Sequence, residues 1–118
     1  AEVEDARAWG ATIIPAREIH RRGVGDALAP IPADAKVFIT LDCDGLDPSV
    51  MPAVAARVPG GLTYWQVIDT FDVLAQRARI VGCDIVELAP DRDIDGIGTL
   101  TGVRLVCTAV AAMARSHS

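Results

Sequence analysis

The spacing of apolar and polar positions changes several times along this chain, and each change marks an element. Val3, Ala6 and Trp9 recur at helical intervals, with Glu2, Glu4 and Asp5 suited to a first turn, so residues 2–9 read as a helix that Gly10 stops. Ala11 to Ile14 is a short apolar run ended by Pro15, read as a strand. A helix over about 16–22 follows, Gly23 and Gly25 break it, and a further short helix reaches Ala29 before the loop Pro30–Asp34. Lys36 to Leu41 is apolar on both faces, the pattern of a strand covered by helices above and below.

Residues 43–63 lose periodicity and are rich in Gly and Pro, a connection long enough to suggest a functional loop. Thr63 can then N-cap a helix to about Arg77, whose apolar stripe runs through Trp65, Ile68, Phe71 and Leu74. Arg79 to Leu88 reads as a third strand, apolar except for Asp84 and Glu87. After an irregular loop through Gly96, a helix opening at Thr99 or Thr101 is apolar almost all round, which predicts heavy burial. This order of elements predicts an α/β fold, a three-layer α/β/α arrangement on a parallel sheet. Three strands make a narrow sheet, and strand 36–41 expects neighbours on both sides, so the sheet is predicted to be incomplete in this chain.

Composition narrows the function. At 118 residues the chain is one domain's worth or less, and 51% hydrophobic content with few aromatics predicts an aliphatic core. The net charge of −5, with no basic tract longer than Arg21-Arg22, argues against nucleic acid. Cys43, Cys83 and Cys107 match no metal-finger spacing, and their odd number points to a reducing compartment, the cytoplasm. No membrane partner is expected, because no run is read as a membrane span and the first residues resemble neither a signal nor a transit peptide. The chain starts without Met, inside what reads as a helix, and is expected to be part of something longer.

The candidate chemistry sits at the end of strand 36–41. Asp42 and Asp44 are delivered to one face there, and Asp47-Pro48 turns the chain away. Two like charges side by side call for a cation, and alternate carboxylates suit Mg²⁺, Mn²⁺ or Zn²⁺. Ligands of parallel sheets collect at the carboxyl ends of the strands, where Glu87 also falls. Gly60 and Gly61 permit a close backbone approach as the loop folds back.

Thr40-Leu-Asp-Cys-Asp-Gly-Leu-Asp-Pro-Ser-Val-Met-Pro52, followed by Pro59-Gly-Gly-Leu-Thr63, resembles the carboxyl-terminal signature of the ureohydrolases, the arginase and agmatinase family. Gly82-Cys-Asp-Ile-Val-Glu-Leu-Ala-Pro90 is similar to that family's next block, and the resemblance runs over about residues 36–115 and extends to 1–35. It implies that residues 1–118 are the carboxyl-terminal portion of a single ureohydrolase domain with an arginase-like fold. It also implies hydrolysis of a small guanidino substrate, agmatine-like, to urea and an amine at two bridged Mn²⁺ ions, in a trimer or hexamer of complete subunits. Asp42 and Asp44 would be metal ligands, Glu87 would pair with the guanidinium, and Asp84 and Asp47 would play supporting parts; no residue is assigned a catalytic role.

Two departures qualify the resemblance. Ala53-Val-Ala-Ala-Arg-Val58 replaces a Gly-Thr-Gly-Thr-Pro-like stretch, so Arg57 bears on the substrate entrance. The family's Gly-Gly-Asp-His and Asp-Ala-His-x-Asp motifs, which provide the other metal ligands, are absent, so the isolated chain is expected to be inactive. Two alternatives stand beside this reading. One is a haloacid-dehalogenase-like phosphotransferase, whose strand also ends in Asp-x-Asp-Gly, although Leu46 stands where that family has Thr or Val. The other is a non-catalytic α/β assembly module. Blander expectations cover the remaining polar residues: His20 on a helix surface, His117 in a solvated tail, and Asp91, Asp93 and Asp95 in a solvated loop. Trp9, Trp65 and Phe71 are expected in the core, and the cysteines as packing residues with Cys43 turned away from the aspartates.

Overall fold

The computed structural model describes all residues, 1–118. Burial alternates along β1 (Lys36–Asp42): Val37, Ile39 and Leu41 are half-buried against the core while Phe38, Thr40 and Asp42 are exposed. The second strand, β2 (Arg79–Val86), pairs with it in parallel, from Lys36 opposite Arg79 to Asp42 opposite Val86. Register slips once between Val37 and Phe38, leaving Val81 without a partner. The Phe38 ring then lies over Gly82, where an added Cβ would stand 2.6 Å from it.

A parallel pair needs a crossover, and α4 (Tyr64–Arg77) supplies it. The helix starts where predicted: the Thr63 hydroxyl accepts from the Gln66 amide at 3.2 Å, and the Gln66 side chain accepts from the Thr63 amide at 2.9 Å. Its inner stripe is Val67, Phe71 and Leu74. Helix α5 (Ile97–Ser116) packs beside it and buries Leu105, Ala109 and Ala112 in the core, while Gly98 lies against Ala53 and Gly102 against Leu88. Both helices share one apolar core with Ile80, Cys43, Leu46, Met51 and Val54. The loop after β1 therefore belongs to the core; it opens with a 3₁₀ turn at Cys43–Gly45 and returns through a bridge between Leu46 and Leu62. Short helices α1 (Glu2–Ala8), α2 (Ala16–Arg22) and α3 (Val24–Leu28) precede β1.

Several expectations need correction. Residues 11–14 form no strand, because the sheet has only β1 and β2 and no edge reaches them. The expected α/β fold on a parallel sheet is present and, as expected, incomplete: helices cover one sheet face, and the opposite face, with Phe38 and Val81, is bare. Helix α5 begins at Ile97, earlier than Thr99, and is buried on one side only: Leu100, Val103, Val106 and Val110 are exposed. This 20-residue helix is, by length and composition alone, apolar enough to cross a membrane, although its small-residue face is committed to the protein core. Trp9 and Trp65 are exposed, and only Phe71 of the three large aromatics is core. Only 19 of 118 residues are buried, little for a chain that is 51% hydrophobic, which leaves much apolar surface without a partner.

Candidate active site at the strand ends

Asp42 closes β1, and Asp44 stands in the 3₁₀ turn that follows, its amide donating weakly to Asp42 Oδ1 at 3.3 Å. None of the three ion pairs in the chain involves Asp42, Asp44 or Glu87, so no Lys or Arg neutralises them. The consequence is electrostatic. The Asp42 carboxylate, placed to share a proton with Asp44, raises the Asp44 pKa; partial burial and the charges of Asp42 and Glu87 add to it. Between the aspartates, Cys43 points into the core and is fully buried. Burial first, then the charges of Asp42, Asp44 and Glu87, push its thiol up to about 11, which keeps it protonated and unreactive.

Glu87 leaves β2 with φ +59, a left-handed conformation that disfavours residues other than Gly by about 1–2 kcal/mol. Strand alternation between Asp84 and Glu87 therefore does not apply, because the ladder has ended at Val86. Glu87 is exposed, and its charge acts on both Cys43 and Asp44. The structure thus gathers Asp42, Asp44 and Glu87 at one end of the strand pair. It does not place three or more His, Cys, Asp or Glu side chains close enough to hold an ion among themselves. The donor set fits part of a cation site, four hard carboxylate oxygens from Asp42 and Asp44, and does not complete one.

The surrounding loops are tightly tied. Asp47 Oδ1 accepts from the Ser49 amide at 3.0 Å and its hydroxyl at 2.6 Å, and Oδ2 accepts from the Gly60 amide at 2.9 Å. The Ser49 hydroxyl, then the Gly60 and Ser49 amides, hold the Asp47 carboxyl down to about 2. Gly61 lies against the backbone of the turn, where a Cβ would come within 2.5 Å of the Leu46 carbonyl carbon, so the anticipated close approach is made at Gly61; Gly60, at φ +90, faces open space and makes none. Arg57 donates through Nε to Pro52 O at 2.8 Å and through Nη2 to Arg92 O, tying this loop to the turn Pro90–Arg92.

Three polar residues have structural partners: Asp93 and His117, expected in solvated segments, and His20, exposed on α2 as expected. Asp93 caps α5: Oδ1 accepts from the Ile94 and Gly98 amides, each at 2.8 Å, and Oδ2 from the Thr99 amide at 2.8 Å and hydroxyl at 2.7 Å. His117 is anchored to the start of β2, with Nε2 2.8 Å from Ile80 O and Nδ1 accepting from Arg79 Nε at 3.3 Å. His20 reaches the loop 40 residues away, with Nε2 3.1 Å from Gly61 O and 3.3 Å from Gly60 O. The acidic residue ahead of a Thr-containing helix start was a readable signal for Asp93. Nothing local to either histidine indicates a partner so far along the chain.

Parallel strands joined by a helical crossover, with carboxylates gathered at their carboxyl ends, place the chain in the α/β class, in which ligands collect at the strand tips. Comparison with known proteins makes the class specific: the arginase family model matches residues 1–112, and the chain belongs to the arginase family. It is 38% identical over 105 residues to an N(1)-aminopropylagmatine ureohydrolase of Thermus thermophilus, covering 89% of this chain and 35% of that protein. It is 36% identical over 115 residues to an agmatinase of Chromobacterium violaceum, covering 91% of this chain and 35% of that protein. The fold matches the proclavaminate amidino hydrolase of Streptomyces clavuligerus with a TM-score of 0.88 at 24% identity, over 98% of this chain and 39% of that one. The chain thus spans about a third of the length of the curated relatives it matches. Membership in this family sets the phosphotransferase alternative aside.

Proposed function

We propose that residues 1–118 are the carboxyl-terminal portion of a single hydrolase domain, and that the full-length protein cleaves a guanidino compound, agmatine-like, to urea and an amine. The convergence of Asp42, Asp44 and Glu87, unpaired by any cation of this chain, carries the reading. Relatives named for agmatine and aminopropylagmatine hydrolysis support the substrate class. Manganese fits the hard carboxylate donors of Asp42 and Asp44, with the remaining ligands supplied by the rest of the domain. Bound there, it would supply Lewis acidity and charge neutralisation at neutral pH.

The chain's own residues bind and orient. Glu87, exposed at the strand tip, offers a planar carboxylate that matches a guanidinium in two parallel hydrogen bonds. The turn held by Asp47 and Gly61 keeps Asp44 in register with Asp42. In the reaction water adds to the guanidino carbon, the bond to the substituted nitrogen breaks, and the amine leaves with a proton. The bare sheet face and the exposed stripe of α5 belong, in this reading, to the interior of the complete domain and of a trimer or hexamer, in the cytoplasm.

Urea release from agmatine, aminopropylagmatine and arginine tests the proposal, with the 118-residue chain alone and with the full-length protein. The full-length protein is expected to release urea from at least one of them and the isolated chain from none. No urea from any guanidino compound would favour a non-catalytic assembly module.

A further inference from the structure

The loop beside the paired aspartates is fastened by a side chain from outside the strand-end signature. Helix α2 presents His20, whose Nδ1 lies 3.1 Å from Gln66 Nε2. Donor and acceptor roles follow from one fixed point. The Thr63 amide can only donate, so Gln66 Oε1 is its acceptor and Gln66 Nε2 is the end that faces His20. A primary amide nitrogen donates, so His20 Nδ1 accepts and carries no proton. The imidazole proton is therefore on Nε2, aimed at the carbonyls of Gly61 at 3.1 Å and Gly60 at 3.3 Å. A neutral ring in one tautomer joins the capping box of α4 to the Gly-Gly loop.

That loop is in direct contact with the turn that carries Asp44. Leu62 N donates to Gly45 O at 2.9 Å, and Asp47 N donates to Leu62 O at 3.0 Å. The Cβ that Gly61 lacks would stand 2.7 Å from both Gly45 O and Asp47 N. Backbone rests on backbone, with no side chain between them to absorb a shift. A displacement of the Gly61 carbonyl passes to Gly45, the residue next to Asp44.

We propose that His20, as the neutral Nε2–H tautomer, is a positioning residue that sets the height of the Gly60–Leu62 loop and through it the placement of Asp44. Its effect on turnover rests on the hydrolase reading above; the clamp itself does not.

The test compares the full-length protein with His20→Ala and His20→Gln variants, by amide exchange over residues 59–63 and by urea-release kinetics. Glutamine keeps an N–H where Nε2 donates, so it can hold the Gly61 carbonyl. In His20→Ala, exchange at Gly60 and Leu62 should speed up about tenfold, and kcat should fall about tenfold with KM changed less than about twofold. His20→Gln should recover most of both, and decides the matter alone if His20→Ala does not fold. Wild-type exchange in His20→Ala, or a His20→Gln variant no better than alanine, overturns the clamp. Faster exchange with undiminished kcat overturns its role in placing Asp44. Faster exchange in a protein that releases no urea confirms the clamp and retires the hydrolase reading.

Discussion

The Asp47 carboxylate reaches across thirteen residues to the Gly60 amide, Oδ2 to N at 2.9 Å, while its other oxygen holds Ser49. One side chain thus closes the loop that begins at the paired aspartates and returns to them. Asp47→Ala should leave the Gly60 amide without its acceptor, lower the melting temperature and open residues 48–61 to proteolysis. Asp47→Asn, which keeps one carbonyl oxygen, should fall between alanine and wild type. Unchanged melting and cleavage in Asp47→Ala would mean that the loop is held by its backbone alone.

Asp93 gives the fold a dependence on pH. Burial pushes its carboxyl up, but the Thr99 hydroxyl and the Thr99, Gly98 and Ile94 amides outweigh it and hold it down to about 2, below the ordinary carboxylate range. A depressed carboxyl stabilises the native state above its unfolded pKa, and the contribution disappears as pH falls through the folded one. The stability difference between wild type and Asp93→Ala should be constant above about pH 5 and shrink between about pH 4 and 2. Denaturant midpoints at several pH values measure it, and a difference that does not change with pH would contradict the capping role.

The reciprocal bonds of Thr63 and Gln66 should be visible as stability. Thr63→Ala removes the hydroxyl acceptor and should cost about 1 kcal/mol in denaturant unfolding, with Thr63→Ser close to wild type. Gln66→Ala should cost more than an ordinary cap partner, because Gln66 also donates to His20. Equal effects of the two alanine variants would argue against that second role.

What the sequence could disclose depended on how local the cause was. The strand read over 36–41, which the structure extends by one residue to Asp42, the crossover helix with its Thr63 cap and the turn at Asp47 are written in adjacent residues. The short apolar run 11–14 fits a strand equally well, but a strand needs a neighbouring edge, which no local pattern can supply. The apolar stripe of α5 was read as buried because apolar periodicity shows which face seeks a partner, not whether this chain contains it. Asp42, Asp44 and Glu87 were placed at one strand end from spacing alone, whereas the positive φ of Glu87 had no signal in its neighbours. His20 and His117 take their partners from 37 to 46 residues away, and only the folded chain brings those together.

The proposed function makes Asp42 and Asp44 part of a two-ion manganese site completed by the rest of the domain. The metal content of the full-length protein, dialysed against manganese and measured by plasma mass spectrometry, decides it. We expect about two ions per subunit in the wild type and loss of at least one in Asp42→Asn and in Asp44→Asn. Full manganese content in both variants, with their folds intact, would contradict the assignment.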